Sequence, residues 1–177
     1  MFSCFYYIWH QYFGLSLEDL HAKVFKRLLY GISMPLLKQH AEEFVGFHLE
    51  RLLYFPAWEK LKRAQHEGHF TCILSNSPSF LVRVIAERFQ VDAWEASEYL
   101  VDKDQRLCQI QKILQGVEKA CYVEEITKRL GINKEKSTGY SDSYLDLPFL
   151  YSVGNAVVVN PDRKLKRVAD RLKWKEI

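Results

Sequence analysis

The sequence has no CxxC pair, no HExxH motif and no apolar run near the roughly 20 residues that span a membrane, and each absence removes a class of function. The four cysteines, Cys4, Cys72, Cys108 and Cys121, are scattered, so the expectation is a reduced, cytoplasmic protein. Cys72 and Cys121 fall in apolar patterns and are expected to be buried thiols. His66 and His69 stand close together, but nothing in their spacing points to a histidine metal site. The N-terminus lacks a basic region and a small-residue cleavage site, so no secretory leader is expected. There is no internal repeat and no low-complexity linker. There is little excess of one charge either: the net charge is +3, which does not by itself imply nucleic acid, and no nucleic-acid partner is expected. What is present is a globular composition, 48% hydrophobic, in 177 residues. That suits one domain with or without a small helical insertion. Aromatic residues gather early, in "MFSCFYYIWHQYF".

The first third reads as helical. Ser16 to Asp19 has the Ser-x-x-Asp form of a capping box, which satisfies free N–H groups at a helix start. Leu17, Leu20, Val24 and Leu28 follow at helical spacing, and Gly31 ends that helix. Ser33, with Pro35 just inside, opens the next. Its apolar stripe is Leu37, Ala41, Phe44, Val45, Leu49 and Leu52, with His48 expected as a satisfied core histidine.

Beyond Pro56 the pattern changes. "AWEKLKRAQHEG", "PSFLVRVIAERF", "VEKACYVEEITKRLG", "LDLPFLYSVG" and "RKLKRVADRL" read as helices. "HFTCILS", "AWEASEYLV", "KSTGYS" and "AVVVN" read as strands, two of them continuously apolar. Such alternation predicts an α/β fold around a parallel sheet, with residues 1–55 as a helical region and 56–177 as the α/β core. Ligands of such sheets bind beyond the carboxyl ends of the strands.

Four signals lie at or within reach of that edge. Ser75-Asn76-Ser77 follows a buried strand and precedes a helix, where a hydroxyl and free N–H groups can cradle phosphate. An ordinary helix cap is the plain alternative. Lys119, near a helix start, opposes the helix dipole and could neutralise an anion, or could simply be solvated. Asp142 lies just past a strand end, and Asp146 follows one helical turn later. Two carboxylates so spaced can converge on a hard cation such as Mg²⁺, or can both cap the helix.

Together these stretches resemble the motifs of the haloacid dehalogenase (HAD) superfamily. "TCILSNSP" resembles its second motif, Lys119 in "GVEKA" the third, and "GYSDSYLDLPFL" the acidic DxxxD pair of the fourth. "AVVVNPDRKLKRVADRLKW" resembles the ending of subfamily IB, the group of phosphoserine-phosphatase-like and phosphatidylglycerophosphatase-C-like enzymes. The likeness is strongest over residues 65–177, and the helical first third resembles that group's cap. It implies a Rossmannoid parallel sheet with helices on both faces and a Mg²⁺-dependent phosphatase working through an aspartyl-phosphate. Asp142 and Asp146 would serve the metal. Ser75, Asn76 and Lys119 would bind phosphate, Ser75 and Lys119 also assisting catalysis. The substrate would be a small phosphorylated molecule, a phospholipid headgroup among the candidates.

The family's first motif, DxDxT, which carries the nucleophile, does not occur in the sequence. Asp102 and Asp104 repeat the DxD spacing, but they lie between the second and third motifs without the following Thr. In the family that motif ends a central strand. Its loss would strand roughly ten backbone groups at about 1–3 kcal/mol each, rivalling a domain stability of about 5–15 kcal/mol. The expectation is therefore an N-terminally shortened, inactive form. The neighbouring strands should stand about 10 Å apart, twice the usual spacing, or pair directly, or admit a segment such as residues 1–10. Two rival readings remain. One is an inactive domain that binds a phosphorylated ligand or a protein. The other is a membrane or nucleic-acid binder using Arg163, Lys164, Lys166, Arg167, Arg171, Lys173 and Lys175, a run diluted by Asp162, Asp170 and Glu176.

Overall fold

The computed structural model describes residues 17–177, and their strands fall into two separate three-stranded sheets. Phe5, Tyr6, Tyr7 and Trp9 of the aromatic run, Cys4 and the Ser16 end of the capping box lie outside those residues. The first sheet holds β1 (Cys72–Pro78), β2 (Ala93–Val101) and β3 (Leu107–Lys112), in that order. β1 and β2 are parallel, joined through α4 (Ser79–Phe89), while β2 and β3 form an antiparallel hairpin. The second sheet holds β4 (Thr138–Ser141), β5 (Asn155–Val158) and β6 (Lys175–Glu176), all parallel. Between the sheets runs α5 (Gly116–Leu130); α6 (Leu147–Tyr151) and α7 (Arg163–Leu172) link the later strands.

The helical first third comprises α1 (Leu17–Val24), which passes into a π-helical turn at Phe25–Leu29, then α2 (Met34–Leu52) and α3 (Phe55–His66). Gly31 follows with φ +77°, a left-handed conformation that ends the helix at little cost in glycine. Pro35 and Pro56 sit in the first turns of α2 and α3, where no N–H is needed. The linker after Gly31 adds to the first sheet: Gly31 N–H donates to the Leu107 carbonyl (2.8 Å), and Leu107 N–H to that of Ile32 (2.9 Å). Leu107 is buried beneath it.

Two apolar clusters hold the molecule. Leu150, Val158, Leu165 and Ala169 join α6, β5 and α7. Ala41 and Val45 of α2 meet Val84 of α4. α2 thus has a narrow contact line. Leu37 and Leu49 are half-buried, while Phe44, Leu52 and His48 are exposed, so His48 is no core histidine. Cys121 is exposed as well, because the buried face of α5 is carried by Val123, Ile126 and Thr127. Strand β3 escapes the apolar criterion: "LCQIQK" buries only Leu107 fully and is held by its hairpin. Its turn explains the DxD spacing, since the Asp102 carboxylate accepts from the N–H groups of Asp104 and Arg106, both at 2.9 Å.

The break between the sheets falls between β1 and β4, where the family's first strand was expected. Among the described residues each pairs on one side only, and they do not pair with each other, so direct closure has not occurred. α5 follows β3 and precedes β4, and its Lys119 reaches the segment after β4.

Candidate active site

The site begins at the start of α5. Gln115 and Glu118 form a capping box, the Gln115 N–H donating to Glu118 Oε2 at 3.1 Å. One turn in, Lys119 is buried, with 6% of its surface exposed. Its Nζ lies 2.7 and 2.8 Å from the two carboxylate oxygens of Asp146. The Ser141 hydroxyl donates to Asp146 Oδ2 at 2.7 Å. A buried lysine is tolerable only when paired in this way.

Gly116 permits the approach. A Cβ at this position would stand 2.2 Å from the Leu145 carbonyl oxygen and 3.2 Å from the Asp146 Cα. Without side-chain bulk here, α5 lies directly on the segment carrying Asp146. Sequence reasoning did not single out Gly116 or Ser141; a glycine three residues before the lysine and a serine before the aspartate were the available signals.

The plain readings of these residues fail. Lys119 is not a solvated surface lysine. Asp146 occupies the position before α6 but makes no capping bond. Asp142 caps nothing; Ser143 serves the short 3₁₀ turn, accepting from Leu145 N–H. Asp162 caps α7, accepting from Lys164 and Leu165 N–H, and its other oxygen accepts from Tyr144 N–H at 2.7 Å. Ser75 does not cap α4 either: its Oγ accepts from Ser77 N–H at 3.2 Å.

Asp142 differs from its neighbours. The residue is solvent-accessible, yet surrounding atoms thin its hydration, and this desolvation is the first cause of a raised pKa. Its own amide opposes the shift; Asp146 raises it further, Lys119 lowers it and Asp162 raises it. No hydrogen bond or ion pair ties its carboxylate to another described side chain. Of the three clustered carboxylates, then, Asp146 and Asp162 are committed and Asp142 is open. An accessible carboxylate with unfavourable like-charge neighbours suits a hard cation that keeps several waters. The donor set is partial, for no cluster of three His, Cys, Asp or Glu able to hold a metal exists among the described residues.

Ser75 and Asn76 belong to the other sheet. The β1–β2 register runs Ser75 to Ala96 and then Pro78 to Ser97, so Asn76 and Ser77 bulge out of the ladder at its carboxyl end. The Asn76 carbonyl accepts from the Ser97 hydroxyl at 2.8 Å. No hydrogen bond among the described residues links Ser75 or Asn76 to Lys119 or Asp142. The basic run near the C-terminus is partly neutralised, Lys166 pairing with both Asp170 and Glu176. No helix among the described residues is long and apolar enough to cross a membrane.

Comparison with known proteins gives consistent results. A family model described as haloacid dehalogenase-like hydrolase matches residues 3–151. A phosphoserine phosphatase of Mycobacterium tuberculosis is 43% identical over 65 residues, covering 37% of this chain and 21% of that protein. Two further mycobacterial relatives are matched over similar shares, 21–22% of their length. A protein of unknown function from Bordetella pertussis superposes with a TM-score of 0.81 at 22% identity, covering 96% of this chain and 77% of that one. A substrate-bound phosphoserine phosphatase gives a TM-score of 0.59 at 25% identity, covering 68% and 56%.

Proposed function

The chain belongs to the haloacid dehalogenase-like hydrolases, and we propose that it is the scaffold of a phosphomonoester hydrolase whose attacking carboxylate is not among its 177 residues. The observation that carries this reading is the buried Lys119–Asp146 pair beside the open carboxylate of Asp142. A cation and a potential metal ligand then stand at the same corner, as phosphate transfer requires.

In this reading Asp142 holds Mg²⁺ together with water and groups from outside these residues. The ion, when bound, offsets phosphate charge. Lys119 supplies fixed positive charge, and Asp146 with Ser141 holds its ammonium in place. Asp146 is accordingly the lysine's anchor and only an indirect support for the metal. Ser75 and the N–H groups of the Asn76 bulge bind phosphate oxygens. Residues 1–55 act as the cap that selects the leaving group. The reaction needs a carboxylate to attack phosphorus while the alcohol leaves with a proton; water then cleaves the acyl phosphate to inorganic phosphate. Small phosphomonoesters are the substrate class. Phosphoserine leads because relatives bear that name; lipid-headgroup and sugar phosphates are the other candidates.

The test is hydrolysis of p-nitrophenyl phosphate with Mg²⁺. The 177-residue chain should show little turnover. An extended chain with an added N-terminal strand ending in DxDxT should approach the enzyme range of about 1–10³ s⁻¹. Asp142→Asn should abolish that activity. Turnover in this range by the 177-residue chain would overturn the missing-nucleophile reading. A folded extended chain without turnover would overturn the phosphatase reading.

A further inference from the structure

Ser97 has no role in the site described so far, yet it is fully buried, with 0% of its surface exposed. Its hydroxyl makes two hydrogen bonds to backbone groups far apart in sequence. It donates to the Asn76 carbonyl at 2.8 Å and accepts from the Leu114 N–H at 3.0 Å. Asn76 lies in the β1 bulge beside Ser75. Leu114, itself fully buried, immediately precedes the capping box of α5, and α5 carries Lys119. One hydroxyl therefore joins the strand end on the first sheet to the helix that reaches the second.

The two bonds use complementary properties of one oxygen. A hydroxyl donates one hydrogen and accepts on its lone pairs, so a serine can bridge a carbonyl and an N–H; alanine can do neither. Both partners are main-chain groups in a water-poor place, where an unmade bond is expensive. The bridge also sits where the ladder is irregular. The β1–β2 register shifts between Ser75 and Pro78, and the β2–β3 register shifts just after Glu98. The Ser75 hydroxyl closes the bulge on itself, and Ser97 is the group from another strand that holds it.

We propose that Ser97 is a positioning residue that fixes the Ser75–Ser77 bulge relative to Lys119. This rests on the phosphate-site reading only for its consequence in binding; the coupling itself is a property of the fold. Two measurements separate the parts. The first is hydrogen exchange on the 177-residue chain. Ser97→Ala should speed amide exchange about tenfold, the worth of one net hydrogen bond, at Leu114. The faster exchange should spread to Asn76, Ser77 and residues 115–119 and leave β4 and β5 unchanged. Ser97→Thr, which keeps the hydroxyl, should restore slow exchange. Acceleration confined to Leu114, or spread evenly over the chain, would overturn the coupling. If Ser97→Ala fails to fold, Ser97→Cys keeps the volume while weakening both bonds and is read the same way.

The second measurement is calorimetric titration with inorganic phosphate. Ser97→Ala should weaken binding several-fold, Ser97→Thr should recover it, and Lys119→Ala should remove it. If Lys119→Ala removes binding and Ser97→Ala does not change it, the positioning role is wrong and the phosphate site stands. If no variant or parent binds phosphate while exchange remains coupled, the phosphate site is wrong and the bridge stands.

Discussion

The carboxyl ends of β1 and β4 are finished differently. At the end of β4 the polar side chains are almost all engaged: Lys119 with Asp146, Ser141 with Asp146, and Asp162 with three N–H groups. At the end of β1 the ladder opens into a bulge, held by Ser75 on itself and by Ser97 from β2. The difference follows from sequence distance. Ser141, Asp142, Ser143 and Asp146 lie within six residues, so one short turn brings them together, and the lysine needs only a single helix to arrive. The other end depends on strands 20 residues apart, and its outer edge has no partner among the described residues. In the proposed function both ends serve the same ligand, the wired corner supplying Lys119 and Asp142 and the bulge supplying Ser75 and Asn76.

The comparison breaks most severely at Lys119. Lys119→Met leaves Asp146 as an uncompensated, largely buried carboxylate. Loss of one partner of such a pair costs about 3–5 kcal/mol. Chemical denaturation should find that loss, and Lys119→Met with Asp146→Leu should recover much of it. Next is Gly116→Ala. The new methyl collides with the Leu145 carbonyl oxygen, a backbone atom, and overpacking of this kind costs about 1–3 kcal/mol. A gain in stability from better helix propensity would show that α5 does not press on the Asp146 segment.

A smaller effect is expected at the opposite, amino end of the first sheet. The Asp92 carboxylate accepts from both the N–H and the hydroxyl of buried Thr71, at 2.7 and 2.8 Å. These bonds, backbone first, hold its pKa below the ordinary value. Asp92→Ala should therefore cost about 1–2 kcal/mol at neutral pH. Because the folded pKa is depressed, this contribution is complete above the unfolded value of about 3.9 and fades as pH falls through the folded one. The difference in melting temperature between parent and variant should shrink below about pH 4. A constant difference down to pH 2 would mean that the carboxylate's charge plays no part.

Much of this architecture was legible in the residues. The strand at Ala93–Val101 and the helix at Arg163–Leu172 appear with their expected limits; the helix carries a strong polar–apolar period. Among the described residues β1 and β4 do not pair with each other, and residues 1–10, the segment expected as a possible occupant of the slot between them, lie outside those residues. Strand β3 and the exposure of Phe44, His48 and Leu52 were not legible. Both depend on what lies opposite: β3 is made by its hairpin, and the buried line of α2 packs on α4. The same limit hid Ser97 and Gly116, whose importance is set by atoms more than 15 residues away.

The central claim is that both edges serve one ligand, and amide chemical shifts during titration with inorganic phosphate in the presence of Mg²⁺ test it most directly. The account predicts that Ser75–Ser77 on one sheet, and Lys119 with Asp142 on the other, shift together and fit one dissociation constant. Shifts on one side alone, or two different constants, would contradict it.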